Sequence, residues 1–312
     1  MLSNRTLVIL LTALAPALWG TTYITASTVF EPGHPLLTAT LRALPAGLIL
    51  LAIARRRPRG AWWWKSVVLG TLNIAVFFGC LFVAADRLPG GVAAVIGGVQ
   101  PLLVAVLGAR FLGERINTLI LGAGVAGVVG VGLIVLQAHA GLDALGVGAA
   151  LGGAASMGVG TILAKRWAGS HAPIATTSWQ LLAGGLVLAV ATAVMEPLPT
   201  AVPGIAAILG HVYLAVVGTA LAYVLWFRGI AILPTRIPAF LGLLSPIVAL
   251  GIGLTVAGET LSLTQILGLV LVLASVAVAV VTSTRGSTPP GSRGASNTTG
   301  RRPAGAGVGA RS

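Results

Sequence analysis

Charged residues are scarce in this sequence of 312 residues, because Asp, Glu, Lys and Arg together make up only 8% of it. That is about a third of the usual share for a soluble domain. There is one cysteine, Cys80, which excludes a disulfide framework. A soluble domain and a small disulfide-bonded scaffold are therefore both poor descriptions of this chain.

Apolar residues are abundant instead, at 56% of the chain, with a mean hydropathy of +1.00. Runs of roughly 20 apolar residues follow one another from Leu7 to Thr282, and each is long enough to cross about 30 Å of hydrocarbon. A cleaved signal peptide does not explain so many runs, and a closed β-barrel needs shorter, alternating segments. We predict an all-α integral membrane protein with ten transmembrane helices at 7–27, 36–54, 65–85, 91–112, 117–137, 144–164, 174–194, 206–229, 237–257 and 263–282.

The net charge of +13 and the run "RRRPR" raise the alternative of a nucleic-acid partner. The positions of the basic residues argue against it. With a cytoplasmic N-terminus, the only basic residue outside is Arg87, and Arg42 lies within a span. The positive-inside rule thus predicts a multi-pass protein of the inner, cytoplasmic membrane with both termini in the cytoplasm. The run Trp62–Trp64 is typical of an interfacial aromatic belt, and the basic tail 285–312 is predicted to be disordered and cytoplasmic.

The sequence repeats itself. A shift of 145 positions aligns the two stretches "QPLLVAVLGARFLGE" and "SPIVALGIGLTVAGE", and with a small gap Arg42 falls opposite Gln180. We predict two related units, 1–140 and 141–284. Five helices in each unit mean that the second enters the membrane from the opposite face, as in many secondary transporters with inverted repeats. The aligned pairs are Leu88 with Leu233, Pro89 with Pro234, Ala94 with Ala239, Gly97 with Gly242, Pro101 with Pro246, Gly108 with Gly253, Gly113 with Gly258 and Glu114 with Glu259.

The order of these motifs resembles a known family. The motif "WGTTY" in helix one, "LTATLRALPAG" in helix two and the paired "LP…P…GE" signatures are similar to those of EamA-type members of the drug/metabolite transporter superfamily. The resemblance covers about residues 5–284. It implies a secondary transporter, often an exporter of amino acids or other small metabolites, that alternates access around a central midplane cavity between its halves. It identifies no substrate.

Two prolines, Pro101 and Pro246, are predicted near the centres of their spans, where proline removes one backbone hydrogen bond and crowds the carbonyl four residues earlier. One interpretation is a hinge whose freed carbonyl faces the cavity together with Gln100 or Ser245. The other is a kink that only improves packing. Both remain open from the sequence.

Arg42 is the only basic residue well inside a span, about 9 Å from the outer end of helix two at ~1.5 Å per residue. Buried ionisable groups in membranes usually face a cavity or a partner, and an arginine fork suits a carboxylate or a phosphate. The alternative is snorkelling to the outer headgroups. Other polar residues at middle depth are candidates for substrate binding, gating or interhelical hydrogen bonding: Trp19, Thr22, Tyr23, Asn73, Gln180, His211, Thr219, Tyr223 and Trp226.

No acidic residue lies in the middle of a predicted span, so a carboxylate proton relay is missing. Coupling through His211, exchange and facilitated diffusion all remain open. The sequence has no nucleophile–base pair, metal cluster or cofactor motif that favours an intramembrane lipid enzyme. The run "GAGVAG", 122–127, lies inside an apolar helix and favours close helix packing over dinucleotide binding. A lipid-carrier flippase is the main alternative, and the oligomeric state is not predicted.

Overall fold

The computed structural model describes residues 4–29, 34–87, 96–114, 118–135, 143–169, 171–197, 199, 203–257 and 262–285. Every regular element in these ranges is a helix. The predicted disordered tail beyond residue 285 lies outside them. The first part of the chain forms α1 (Asn4–Val29), α2 (Pro35–Ala54), α3 (Trp62–Gly70), α4 (Phe77–Arg87), α5 (Gln100–Leu112) and α6 (Thr118–Val135).

The second part of the chain is also helical, and α7 follows an Asp143 whose carboxylate accepts a hydrogen bond from Gly146 N at 2.7 Å. This is the side-chain cap that satisfies an unpaired amide in a helix's first turn. The elements are α7 (Ala144–Arg166), α8 (Pro173–Met195), α9 (Ile205–Ala215), α10 (Ala222–Ile232), α11 (Arg236–Leu241), α12 (Leu244–Ala257) and α13 (Leu263–Arg285).

Six stretches are long and apolar enough to cross a bilayer. Wherever both ends of a predicted span are described, the helical stretch ends within three residues of the prediction. The six are Pro35–Ala54, Trp62–Leu81, Ala144–Arg166, Pro173–Met195, Ile205–Ile232 and Leu263–Thr282, and shorter apolar stretches are Gln100–Leu112, Thr118–Ile134 and Arg236–Val248.

Two of the long stretches contain a π-helical turn. The first π segment (Thr71–Val76) joins α3 to α4, and the second π segment (Val216–Leu221) joins α9 to α10. They begin 145 positions apart, which is the spacing of the sequence repeat. A π turn displaces the backbone hydrogen-bond register, and such turns occur frequently at functional sites.

Two helical stretches are also interrupted near the prolines. Residues 98–99 form a turn before α5, and residues 242–243 form a turn between α11 and α12. Each turn precedes its proline by two to four residues, so Pro101 lies in the first turn of α5, where its missing N–H leaves no helix bond unmade. The predicted freed carbonyl of Gly242 is partly compensated, since it accepts a hydrogen bond from Ser245 N at 3.2 Å.

Close helix pairs join the two parts of the chain. Helix α2 packs along α8, and α6 packs along α13. Gly130 and Gly268 make the second crossing tight, because a Cβ on Gly130 would lie 2.8 Å from the Gly268 carbonyl oxygen. Small residues of this kind let helix backbones approach closely in membranes.

The two ends of the bundle differ in charge. One end, here called the basic end, brings together residues 55–65, 110–114, 165–171 and 228–236 through contacts such as Lys165 with Ala231 and Trp64 with Trp167. The opposite end holds the ion pair between Arg87 and Asp143 and the Glu196 carboxylate, which accepts from Leu36 N at 2.6 Å.

Candidate functional site

Arg42 is directed into the protein from α2, and its side chain is 4% exposed. Its Nε donates to Thr219 Oγ1 at 3.0 Å, and its Nη2 donates to the Gly218 carbonyl at 3.2 Å. The guanidinium carbon lies 4.6 Å from the centroid of the Phe78 ring, within the range of a cation–π interaction. The snorkelling expected as one alternative is therefore not what the structure has, because the guanidinium contacts the second π segment and not the headgroup region.

The backbone geometry of the second π segment explains why side-chain donors from other helices hydrogen-bond to it. Its displaced register leaves backbone carbonyls that need partners from elsewhere, since an unsatisfied carbonyl in lipid costs several kcal/mol. The carbonyl of Gly218 receives two donors, Arg42 Nη2 and Trp19 Nε1, the latter at 3.1 Å. Both come from helices of the first part of the chain.

Side chains from the second part of the chain likewise hydrogen-bond to residues of the first π segment. Ser156 Oγ in α7 donates to the Leu72 carbonyl at 2.8 Å. Asn73 Nδ2 donates to Gln180 Oε1 in α8 at 3.0 Å, and Gln180 Nε2 donates to the Thr176 carbonyl at 3.2 Å. Arg42 and Gln180, which the sequence repeat aligns, thus each reach across to the π segment of the other part.

The amide of Asn73 is only half satisfied. Its side chain is 0% exposed, and Oδ1 makes no hydrogen bond with any described residue. That oxygen lies against the backbone of Gly160, where no Cβ would fit. Thr161 Oγ1 and Thr177 Oγ1 are also buried without a hydrogen bond in the described part of the chain. Buried polar atoms are nearly always paired, so each of these three atoms calls for a water molecule or a functional role.

An aromatic cluster surrounds the Arg42 contacts. The Trp19 ring centroid lies 5.2 Å from that of Tyr223 and 5.0 Å from that of Trp226. Phe78, which lies under Arg42, contacts Tyr223 edge to face at 6.2 Å. Trp226 is 2% exposed, and its Nε1 is a buried donor with no partner among the described residues. Tilted and edge-to-face pairs at these distances are favourable.

This cluster borders the interrupted helices. A Cβ on Gly20 of α1 would lie 2.7 Å from the Ser245 carbonyl oxygen, and one on Gly242 would lie 3.8 Å from Trp226 Cη2. Ser245 and Pro246 are therefore near the aromatic cluster. On the other broken helix, Pro101 is buried and Gln100 is half-buried. Neither the Gln100 nor the Ser245 side chain hydrogen-bonds a residue in the described ranges.

His211 lies apart from these contacts. Its Nδ1 donates to the Ala207 carbonyl one turn earlier in α9 at 2.8 Å. Of the polar residues predicted at middle depth, the structure therefore brings Trp19, Arg42, Thr219, Tyr223 and Trp226 together in one place, and Asn73 with Gln180 in another. The side chains of Thr22 and Tyr23 lie outside the described residues.

A third group joins the helices at the basic end. The Glu114 carboxylate accepts from Thr235 N at 2.9 Å, and Lys165 Nζ donates to the carbonyls of Ala231 at 2.8 Å and Leu233 at 3.0 Å. The Glu114 carboxylate thereby caps the start of α11 in the second part of the chain. Its counterpart Glu259 lies outside the described residues.

Comparison with known proteins identifies the family. The EamA-like transporter family model matches twice, at residues 6–136 and 144–281. The chain belongs to the EamA-like transporter family. Its resemblance to the drug/metabolite transporter superfamily, drawn first from the motifs, is thereby confirmed.

Among its relatives is Protein PecM of Dickeya dadantii (strain 3937), 39% identical over 266 residues that cover 85% of this chain and 89% of PecM. The uncharacterized inner membrane transporter YedA of Escherichia coli (strain K12) is 29% identical over 274 residues, covering 84% of this chain and 87% of YedA. One solved crystal structure is of a protein 21% identical to this chain, and the two structures match with a TM-score of 0.77. The match covers 90% of this chain and 99% of the other, so the two proteins share a fold.

These comparisons make the EamA-family chain a multi-pass membrane transporter, and they indicate a transporter rather than an enzyme.

The sequence predicted most of the central polar residues of this chain from their depth in apolar runs. It missed Phe78, Ser156 and Thr161, because an isolated aromatic, serine or threonine in an apolar helix carries no signal of its contacts. It also missed the hydrogen bonds of Lys165, because nothing in the sequence indicates which distant carbonyls a lysine near a helix end will contact.

Proposed function

We propose that this EamA-family chain is a secondary transporter that exports amino acids or other small metabolites by alternating access. The observation that carries the proposal is the duplicated contact at the π segments. Arg42 reaches the second π segment from α2, and Gln180 reaches the first from α8. Each unit therefore hydrogen-bonds to the π segment of the other. Two units joined in this way are suited to rocking against each other around a site between them.

The proposed architecture is ten transmembrane helices in two inverted five-helix repeats, 1–140 and 141–284. Several observations support it. The family model matches once in each unit. The π segments begin 145 positions apart, and so nearly do the turns at 98–99 and 242–243.

The proposed substrate contact is Arg42 with the aromatic cluster of Trp19, Phe78, Tyr223 and Trp226. A guanidinium presents donors in a fork that matches a carboxylate, and Trp226 Nε1, which has no partner among the described residues, is a further donor in this cluster. Gln100, Pro101, Ser245 and Pro246 are proposed to line the path where the helices are interrupted. A carboxylate-bearing metabolite suits this combination.

The proposed orientation places the basic end in the cytoplasm. Residues Arg55, Arg56, Arg57, Arg59 and Lys65 lie there, whereas Arg87 lies at the opposite end beside Asp143. An excess of Lys and Arg in short loops marks the cytoplasmic side. The inner-membrane description of the relative YedA supports the same membrane for this chain.

The test is counterflow in proteoliposomes. The purified chain is reconstituted, vesicles are loaded with each member of a panel of amino acids and small organic acids, and uptake of the labelled compound is measured with and without a pH gradient. Substrate-specific counterflow is the expected result, and its response to the gradient distinguishes proton coupling from exchange. Scrambling of a labelled lipid without counterflow of any soluble compound would replace this proposal with the flippase alternative.

A further inference from the structure

A lysine at the basic end is surrounded by tryptophan rings. Lys65 Nζ lies 5.7 Å from the ring centroid of Trp62, 5.9 Å from that of Trp64 and 5.5 Å from that of Trp167. We call Lys65 with these three tryptophans the tryptophan–lysine cluster. Trp64 and Trp167 also meet edge to face at 5.1 Å, which fixes the first turn of α3 beside the end of α7.

The ammonium group of Lys65 has no anion within the described residues. It forms no hydrogen bond or salt bridge there, and the pair of Arg87 with Asp143 lies at the opposite end of the bundle. Indole rings attract a cation but do not neutralise it or accept its three N–H donors as an anion's oxygens do. The half-buried ammonium therefore retains donors for an external acceptor.

Four arginines extend this positive surface. Arg55, Arg56, Arg57 and Arg59 are exposed in the loop that precedes α3, and none forms a salt bridge with a described residue. The loop is held in place, because Trp179 Nε1 donates to the Arg56 carbonyl at 2.8 Å. The rings of Trp179 and Trp62 lie 5.5 Å apart, so the loop and the tryptophan–lysine cluster are parts of one surface.

This surface lies at the depth of lipid headgroups. Trp63 and Trp64 are 61% and 53% exposed, although they are large apolar side chains. They begin the stretch Trp62–Leu81, which is apolar enough to span a bilayer. Exposed tryptophans at the start of such a stretch belong at the boundary between headgroups and hydrocarbon.

We infer that the tryptophan–lysine cluster and the adjacent arginine loop bind the headgroup phosphate of an anionic phospholipid in the cytoplasmic leaflet. Lys65 contacts the phosphate, the exposed indoles of Trp63 and Trp64 contact the upper acyl chains, and the loop arginines add long-range attraction. A soluble polyanion satisfies the charges but leaves the exposed indoles without a partner, whereas a phospholipid satisfies both. The inference does not depend on which compound the protein transports.

The experiment measures lipid retention by native mass spectrometry of the full chain in detergent. The probe is phosphatidylglycerol, with phosphatidylcholine of the same acyl chains as the neutral control. We expect the wild type to retain phosphatidylglycerol in preference to phosphatidylcholine. Lys65→Gln lowers its affinity for phosphatidylglycerol by about fivefold, as expected for one basic residue at a membrane surface. Lys65→Arg keeps most of the affinity because it keeps the charge.

Arg228→Gln is the matched control, since Arg228 is exposed at the same end but lies in α10 outside the cluster. It leaves phosphatidylglycerol retention unchanged. Equal losses in Lys65→Gln and Arg228→Gln would overturn the inference, because the attraction would then belong to the whole face. Competition by soluble glycerol 3-phosphate at concentrations similar to those of the lipid would also overturn it, since the site would then bind a free anion. If Lys65→Gln does not fold, Trp64→Ala and 1 M salt are tested instead. Phosphatidylglycerol retention that neither of them lowers would overturn the inference.

Discussion

Arg42 Nε donates to Thr219 Oγ1 at 3.0 Å, which ties α2 to the second π segment. The same guanidinium reaches the Gly218 carbonyl, which also accepts from Trp19. One cation therefore helps to satisfy an irregular backbone turn while its face rests on Phe78. A residue in this position is able to transmit a change in its own contacts to the turn that it holds.

We predict that Arg42→Gln lowers counterflow by at least tenfold in folded protein, because a neutral amide loses the fork that suits a carboxylate. Thr219→Val is the matched comparison, since it removes only the hydroxyl acceptor of the Arg42 bond. It costs about 1–2 kcal/mol of stability and retains substrate-specific transport. Counterflow rates over a substrate series and denaturant unfolding measure the two effects. Unchanged transport and substrate affinity in Arg42→Gln would remove the proposed substrate contact.

A double-mutant cycle tests the other π-segment contact. Asn73→Ala, Gln180→Ala and the double variant should give a coupling of about 0.6–1.7 kcal/mol, from the average to the largest value for hydrogen bonds between membrane helices. The bond between Asn73 Nδ2 and Gln180 Oε1 at 3.0 Å is the physical cause. Unfolding in mixed micelles measures the three differences. Additive effects would mean that this hydrogen bond contributes nothing beyond its separate side chains.

The sequence was sufficient for the helical stretches because apolar length alone determines where a chain crosses a bilayer. The repeat predicted that equivalent features recur 145 positions apart, and the π segments have that spacing. It did not predict that these segments are π-helical. That depends on donors such as Trp19 and Ser156 from distant helices, which no local pattern reveals.

The breaks at the prolines were predicted only approximately. Pro101 lies in the first turn of α5, where its missing N–H costs no helix bond, so the turn at 98–99 precedes Pro101 instead of centring on it. The partner of Glu114 was not predictable either. A carboxylate after a C-terminal glycine is expected at some helix N-terminus, but only the packing of α5 beside α11 selects Thr235.

Glycines in α6 offer a matched pair of substitutions. Gly130→Ala should destabilise the protein by about 1–3 kcal/mol, because its Cβ would lie 2.8 Å from the Gly268 carbonyl oxygen and overpacking forces the helices apart. Gly122→Ala is the control, since no atom lies within 4 Å of its Cβ position. It lies on the same helix, in the "GAGVAG" run, and should be neutral or slightly stabilising. Thermal unfolding in detergent checks both, and equal effects would contradict the packing role of Gly130.

At the basic end, Glu114 and Lys165 hold the junction between α10 and α11. Glu114→Ala leaves the Thr235 amide without its acceptor, so we expect hydrogen exchange at Thr235 to accelerate by about tenfold or more. Glu114→Gln keeps an acceptor oxygen and should show a smaller increase. Arg110→Gln on the same helix is the control, because Arg110 is exposed and does not contact this junction's hydrogen bonds.

The same variants separate a structural role of Glu114 from a role in transport. A carboxylate that only caps α11 can be replaced by an amide at the cost of part of one charge-assisted bond, about 1–2 kcal/mol. Folded Glu114→Gln should therefore keep substrate-specific counterflow. If this variant folds, retains slow exchange at Thr235 and yet fails to transport, the charge itself acts in the cycle. Lys165, whose Nζ donates to the Ala231 and Leu233 carbonyls, would then be the first residue to test as its partner during opening of this end.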